Sequence, residues 1–400
     1  MAAPSHSPTL SLGSYSDYSM PTLIRRSLRL LFPALFLALL LAYAAWTQSR
    51  PHSHYLSDLR SEVGPNLGTP SGKGNLLGIQ PALYNVDYRS VGNLQRKLSA
   101  YLDKAHSEGL LTPRTVVILP EHIGTWLVAA GEKPQVFAAH QIDQAMLWLA
   151  LSHPLDLTAA LLTGHGPQRL YDALFRMKAK QMARDYQQLF GGLAKRYGVT
   201  LVAGSILLPD PHVRDGVLQV GSGPLYNASQ VFAADGSALG QPQRKVYPIP
   251  EEAGFTAAAP ETELHVVTTP AGRLGVLICA DSWYPAGYQQ LASQQVDLLA
   301  VPAFLTGNQH WSQPWGGYTT FAGTPADVTS QPGQLSEGEA WQRHSLPTRL
   351  ASTQAHAGMT VFMRGQLWNL GSDGHSMVVG VDGLTLASEA PGGQLINLWL

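Results

Sequence analysis

Three residues with complementary chemistry, Glu121, Lys245 and Cys279, each stand at the edge of an apolar run, Glu121 and Cys279 just after one and Lys245 just before one. Cys279 is the only cysteine in the 400 residues; it ends the run Leu274-Gly275-Val276-Leu277-Ile278 and is followed by Ala280-Asp281-Ser282-Trp283-Tyr284-Pro285. Glu121 follows Thr115-Val116-Val117-Ile118-Leu119-Pro120, and Lys245 lies between Arg244 and Val246-Tyr247-Pro248-Ile249-Pro250-Glu251-Glu252. Taken singly, a lone cysteine is more often a small buried hydrophobe than a nucleophile, and an isolated Glu or Lys is more often solvated. Taken together they form a coherent set. A thiol near neutral pH is mostly protonated and needs a base before it can attack, and attack on a carbonyl develops an oxyanion that an ammonium group in a dry site stabilises.

The order and spacing of these motifs resemble the nitrilase, or carbon-nitrogen hydrolase, superfamily. Gly78-Ile79-Gln80 is similar to the family's first strand, and Leu119-Pro120-Glu121 to its glutamate motif. Arg244-Lys245-Val246-Tyr247 resembles its lysine motif, and Cys279 to Pro285 its nucleophile elbow. Each motif is short, but four in the right order carry weight jointly. The resemblance covers roughly Leu76 to the C-terminus and implies a four-layer α-β-β-α sandwich with a Glu121-Lys245-Cys279 triad. It also implies a backbone N–H at Ala280 as a second oxyanion donor, and a supporting glutamate shortly after the lysine, where Glu251 and Glu252 both stand. His122, Trp283, Tyr284 and Trp311 are the expected pocket residues, and neither metal nor organic cofactor is implied. True nitrilases carry Trp-Glu directly after the cysteine; Ala280-Asp281 is closer to the amidase-like branches.

Composition agrees with a globular enzyme. Hydrophobic residues make up 45% and charged residues 13%, enough apolar surface for a large core and too little charge for disorder. With 26 basic and 27 acidic residues and a net charge of −1, nothing resembles the concentrated basic face of a nucleic-acid binder. One cysteine permits no internal disulfide. No Cys/His spacing suggests zinc, and His52-Ser53-His54 reads as solvated. Asn227-Ala228-Ser229 matches a glycosylation sequon, a tripeptide common by chance.

The N-terminus carries a second signal. Arg25, Arg26 and Arg29 precede 17 uncharged, mostly apolar residues, Leu30 to Trp46, at the short end of the roughly 17–25 needed to cross a bilayer. The positive flank predicts a cytoplasmic tail (1–29), an anchor (30–46) and an exported catalytic domain on the periplasmic or extracellular side. A cleaved signal peptide competes, since Ala42-Tyr43-Ala44 resembles a cleavage site.

Residues 47–74, rich in Ser, Pro, Gly and His, read as a linker, and 75–400 as the hydrolase domain. Leu76 to Asn85 reads as a strand, Leu94, Leu98, Leu102 and Ala105 as one helix face, Leu170 to Tyr197 as a long helix and Val199 to Leu207 as a strand. Asp235-Gly236 and Asp382-Gly383 mark hairpins. Two stretches exceed a compact domain. One, about 135–167, is divided by Pro154 into a helical hairpin, read either as packed on the core or as an apolar lid or membrane-facing flap. The other, about 306–343, carries Trp311, Trp315 and Trp341 and either anchors a loop or binds substrate.

The expected function is hydrolysis of a small-molecule or lipid-like amide through a Cys279 thioester. The alternatives are acyl transfer to an amine, as in the distantly similar apolipoprotein N-acyltransferase, and a non-catalytic membrane-tethered binding protein. Self-association is left open.

Overall fold

The computed structural model describes residues 22–49 and 55–400, with side chains from residue 31 onward, and the chain divides into two units after Ser49. The first contains the helix Thr22–Gln48, whose stretch Leu31–Gln48 is uncharged with mean hydropathy 1.6. At about 1.5 Å per residue it is long enough to cross a bilayer, and a signal segment has the same properties. Residues 22–29, expected to belong to a tail, are helical; 1–21 and the arginine side chains lie outside the described residues.

The second unit is built on two large mixed sheets. The first has the spatial order Ser61–Leu67, Gly393–Trp399, Asn75–Gln80, Thr115–Ile118, Thr200–Val202, Leu225–Phe232, Ala238–Arg244, with Ile206–Pro209 also paired to Leu225–Phe232. The second runs Val266–Thr269, Gly272–Val276, Leu298–Ala303, Ala357–Phe362, Met377–Gly380, Gly383–Leu386. In each sheet three central neighbours are parallel: Asn75–Gln80, Thr115–Ile118 and Thr200–Val202, and Gly272–Val276, Leu298–Ala303 and Ala357–Phe362. Parallel pairing needs crossovers. Helices Val91–Ser107 and Arg169–Tyr186 supply them on one side, Pro285–Ala292 and Glu337–His344 on the other.

Three apolar layers separate the four structural ones. Leu94, Leu98 and Leu102 of the first crossover helix, with Leu174 and Met182 of the second, share a core with Leu77, Val117 and Leu201. Leu76, Val116, Ile118 and Val202 face Leu274, Val276, Leu298 and Met359 between the sheets. Tyr288, Leu291, Trp341 and Leu346 cover Leu277, Leu299 and Val301. Because Val116 and Val117 point into different layers, the strand is apolar on both faces, which is why Thr115 to Leu119 reads as an unbroken run. At Gly78 the sheets approach closely: a Cβ there would press on Met359 and Val361. The expected α-β-β-α sandwich is present.

Several local readings are corrected. The supposed linker contains the edge strand Ser61–Leu67, parallel to Gly393–Trp399, and Tyr55 Oη donates to Asp87 Oδ1 at 3.0 Å, so the domain starts well before residue 75. Pro81 lacks an N–H and splits Leu76–Asn85 into Asn75–Gln80 and Ala82–Tyr84. Val199–Leu207 is likewise two strands, broken at Gly204, whose φ is +66°. The long helix contains a π turn, Gln187–Gly191, before ending at left-handed Gly198. Both hairpins form at Asp235-Gly236 and Asp382-Gly383.

Helices Ile142–Ser152 and Pro154–Thr163 bend by 104° at the expected break. They bury Ala145, Met146 and Leu149 in the same core as the helix Arg169–Tyr186, bury Ala160 as well, and leave Leu147, Leu151, Leu155 and Leu162 exposed.

Candidate active site

Glu121, Lys245 and Cys279 all lie at the C-terminal ends of strands, where open α/β sheets place their ligands. Glu121 follows Thr115–Ile118 in a turn held by Ser205: His122 N–H donates to Ser205 Oγ at 2.8 Å and Gly124 N–H to the Ser205 carbonyl at 2.8 Å. The turn rests on Gly204. A Cβ at that left-handed position would overlap the Pro120 carbonyl oxygen, so only glycine lets the backbones approach. Gly204→Ala is therefore expected to displace Glu121 and lower kcat of any reaction at this site, with the far-UV circular dichroism retained; unchanged turnover would show that the turn tolerates the shift.

Lys245 directly follows Ala238–Arg244, and its backbone N–H donates to the Asn227 carbonyl at 2.8 Å. Its side chain is completely buried. Nζ donates to Glu121 Oε1 at 2.8 Å and to Glu252 Oε2 at 2.5 Å. Asn227 Nδ2 bridges the same two carboxylates, at 2.9 Å to Glu121 Oε1 and 2.7 Å to Glu252 Oε1, and His122 Nε2 lies 3.3 Å from Glu252 Oε1. Burial works against charge on Lys245, but Glu121 and Glu252 override it and hold the ammonium well above its ordinary pKa. Burial likewise pushes the Glu252 carboxyl up, and Lys245 followed by His122 outweighs this and keeps it far below the usual range. Glu121, His122 and Glu252 offer donor atoms within 4.8 Å of one another, a spacing a metal ion can use. Lys245 already sits between the two carboxylates as their counter-ion.

Cys279 opens the short turn Cys279–Trp283, separated from Gly272–Val276 by Leu277 and Ile278. Its φ of +49° is uncommon for a non-glycine residue and marks backbone strain at this point. The turn is clamped to the lysine segment by buried Asp281, whose Oδ1 accepts from Val246 N–H at 3.0 Å and Tyr247 N–H at 2.8 Å, while Oδ2 accepts from Ile278 N–H at 3.2 Å. Sγ faces the Phe304 carbonyl at 3.8 Å. Burial first, and then the Glu121 carboxylate, push the thiol well above its ordinary pKa; Lys245 pulls the other way.

Cys279 and Ala280 form part of the wall of a cavity of about 500 Å³, bounded further by Trp283, Tyr284, Phe304, Trp315, Tyr318, Glu337 and Trp341. Of the expected pocket residues, Trp283 and Tyr284 are on that wall. His122 belongs instead to the charge cluster behind it, and Trp311 packs against Phe362 and His375 rather than lining the cavity. Glu252 is the glutamate that holds Lys245; Glu251 is exposed and sits at the cavity edge. The insertion 306–343 supplies Trp315, Tyr318, Glu337 and Trp341, whereas no residue of the helical hairpin lines this cavity.

Sequence reasoning missed Asn227, Asp281 as a clamp, and Glu337. Asn227 was visible only as a sequon, yet its side chain is buried between two carboxylates, beyond reach of glycosylation in the folded chain.

Fold and site define a class. The family model for carbon-nitrogen hydrolases matches residues 97–394, and the chain belongs to that family, within the nitrilase superfamily. Among curated proteins it is similar to the deaminated glutathione amidase of Yersinia enterocolitica, 29% identical over 136 residues, 31% of this chain and 44% of that protein. It is also similar to the probable hydrolase YhcX of Bacillus subtilis (strain 168), 24% identical over 122 residues, 30% of this chain and 21% of that protein. The chain thus spans less than half the length of these relatives. Among solved structures, a nitrilase-superfamily amidase from Nesterenkonia AN1 aligns at TM-score 0.48 and 15% identity, covering 82% of this chain and 92% of that one.

Proposed function

We propose that the chain is a membrane-anchored, exported thiol amidase. The observation that carries this reading is the buried cluster in which Glu121 and Glu252 share the Lys245 ammonium beside Cys279 at a cavity wall. In the proposed reaction Glu121 takes the thiol proton as Sγ attacks the amide carbonyl. Lys245 spends two of its N–H groups on carboxylates, and its third, with the Ala280 backbone N–H, meets the oxyanion. Glu121 then gives its proton to the departing nitrogen as the C–N bond breaks, leaving a Cys279 thioester. A water, deprotonated by Glu121, attacks the thioester, and the thiol leaves with its proton restored. Glu252, Asn227 and Asp281 position these groups. The amidase name of the Yersinia relative agrees with amide chemistry.

The test is turnover of small amides by the purified domain, with Cys279→Ala as control. Turnover equal in both would end the reading and leave a tethered binding protein. Interception of the thioester by an amine, which gives acyl transfer, is the second reading; the aromatic rings of Trp283, Trp315, Tyr318 and Trp341 on the cavity wall, which take up space that water would fill, favour it. Comparing free acid with amide product in the presence of added amines separates the two.

Placement rests on the apolar helix Thr22–Gln48 and the arginines at its start. The exposed Leu147, Leu151, Leu155 and Leu162 of the helical hairpin suit contact with a lipid surface. Deleting residues 1–46 is expected to release a soluble domain that still reacts at Cys279. Protease added to intact spheroplasts is expected to digest the catalytic domain; protection until lysis would place it in the cytoplasm.

A further inference from the structure

Glu337 is the first residue of the helix Glu337–His344, and it belongs to the cavity wall that also holds Cys279. It makes no ion pair with any described residue, and the cavity wall contains no lysine or arginine. A carboxyl drawn into a partly buried site normally finds a cation in its own chain, as Glu121, Glu132 and Asp172 do here. Here the chain provides none. Burial pushes the Glu337 carboxyl up to about 7, against the opposing pull of the Trp341 indole, as expected for a carboxyl to which the chain brings no cation.

The surroundings are those a cation prefers. Trp283 packs edge-on to Trp341, ring centroids 4.9 Å apart, and against Trp315 at 6.0 Å; Tyr318 closes on both Trp283 and Trp315 at 5.6 Å. All four rings also belong to the cavity wall, and indole and phenol faces attract ammonium and guanidinium groups. The other ionisable groups on the wall are Glu251, His310, Tyr284, Tyr318 and Cys279 itself. Behind Cys279, two carboxylates share one ammonium. The cavity is thus acidic as well as aromatic, and about 500 Å³ is ample for a short chain between amide and cation.

We propose that this cavity selects amides carrying an ammonium or guanidinium group remote from the scissile bond, with Glu337 as the pairing carboxylate and the Trp283, Trp315, Trp341 and Tyr318 rings as the wall around the cation. The proposal rests on Cys279 being the reacting centre. A carboxylate-tailed substrate is repelled, and a neutral tail leaves Glu337 without a partner, so discrimination has both an attractive and a repulsive part.

The test uses ω-aminoamides of four to eight carbons, the n-alkyl amides of matched length and the ω-carboxyamides. At pH 8 the best ω-aminoamide is expected to exceed its alkyl counterpart in kcat/KM by about 10–100-fold, the usual scale for one charge-assisted hydrogen bond. Glu337→Gln collapses that ratio toward one, and Glu337→Asp retains part of it, as a purely structural role for Glu337 would not. A ratio near one in the natural protein, or a ratio unmoved by Glu337→Gln, overturns the proposal. If none of the three series is turned over, it is the amidase reading that has failed. Equilibrium binding to Cys279→Ala then decides selectivity separately: tighter binding of the aminoamide upholds the cation site, and equal binding refutes it.

Discussion

Cys279→Ser is expected to abolish amide turnover, a loss on the order of 10⁴–10⁶-fold as for other nucleophile removals, while leaving the fold intact. A serine hydroxyl fits the same space, but a carboxylate base generates an alkoxide far less readily than a thiolate. The pH dependence of the thiol sharpens the prediction. Burial and the Glu121 carboxylate hold the Cys279 proton on more strongly than Lys245 draws it off. The resting form at neutral pH is therefore the thiol, and alkylation by iodoacetamide should climb with pH to beyond the ordinary thiol range. Glu121→Gln removes a negative charge beside the sulfur, so the thiol should titrate at lower pH and alkylate faster near neutrality, even though turnover disappears. Faster labelling with lost catalysis separates a base from a mere electrostatic neighbour. A labelling plateau in the natural protein at mildly acidic pH would mean a preformed thiolate and would remove the need for Glu121 as a base.

The parts of this arrangement that were legible in the sequence are those written in consecutive residues. Thr115 to Leu119 and Leu274 to Ile278 are buried on both faces, so they appear as continuous apolar runs that end where chemistry begins. The strand breaks at Pro81 and Gly204 were missed because apolar residues continue on both sides of a kink that only the backbone feels. Ser61–Leu67 was missed for a different reason: as an edge strand it is half-exposed and carries Gly64 and Pro65, so it lacks the apolar alternation of a core strand. Asn227 and Glu337 were out of reach for a third reason. Asn227 acquires its role by facing Glu121, 106 positions away, and Glu252. Glu337 reaches the cavity only because the fold brings the insertion 306–343 beside the Cys279–Trp283 turn, and no local pattern encodes such company. The choice between Glu251 and Glu252 turned on helix phase: in the short helix Pro250–Ala253 only the second points inward at Lys245.

Lys245→Ala carries the other large effect, and it has two parts with distinct signatures. The chemical step should slow by about 10²–10³-fold, the scale for losing one oxyanion donor, with KM for a neutral amide changing far less; a rise in KM alone would make Lys245 a binding residue. The second part is stability. Removing the ammonium leaves Glu121 and Glu252 buried without their shared cation, a situation that typically costs about 3–5 kcal/mol. The pH sign follows from linkage. In the natural protein Glu252 is held far below its ordinary pKa, so its stabilising contribution is present above the unfolded carboxyl's pKa, about 4.5, and is lost as the medium is acidified below that. In the variant the sign inverts. Burial, no longer outweighed by Lys245, raises the Glu252 carboxyl in the folded state, which then binds more protons than the unfolded chain, and stability falls as pH rises through the range above about 4.5. The stability gap between natural protein and variant should therefore widen steadily from pH 5 to pH 8 in urea unfolding. A gap independent of pH over that interval would show that Lys245 is not the counter-ion of these carboxylates, and the charge arrangement behind Cys279 would need to be redrawn.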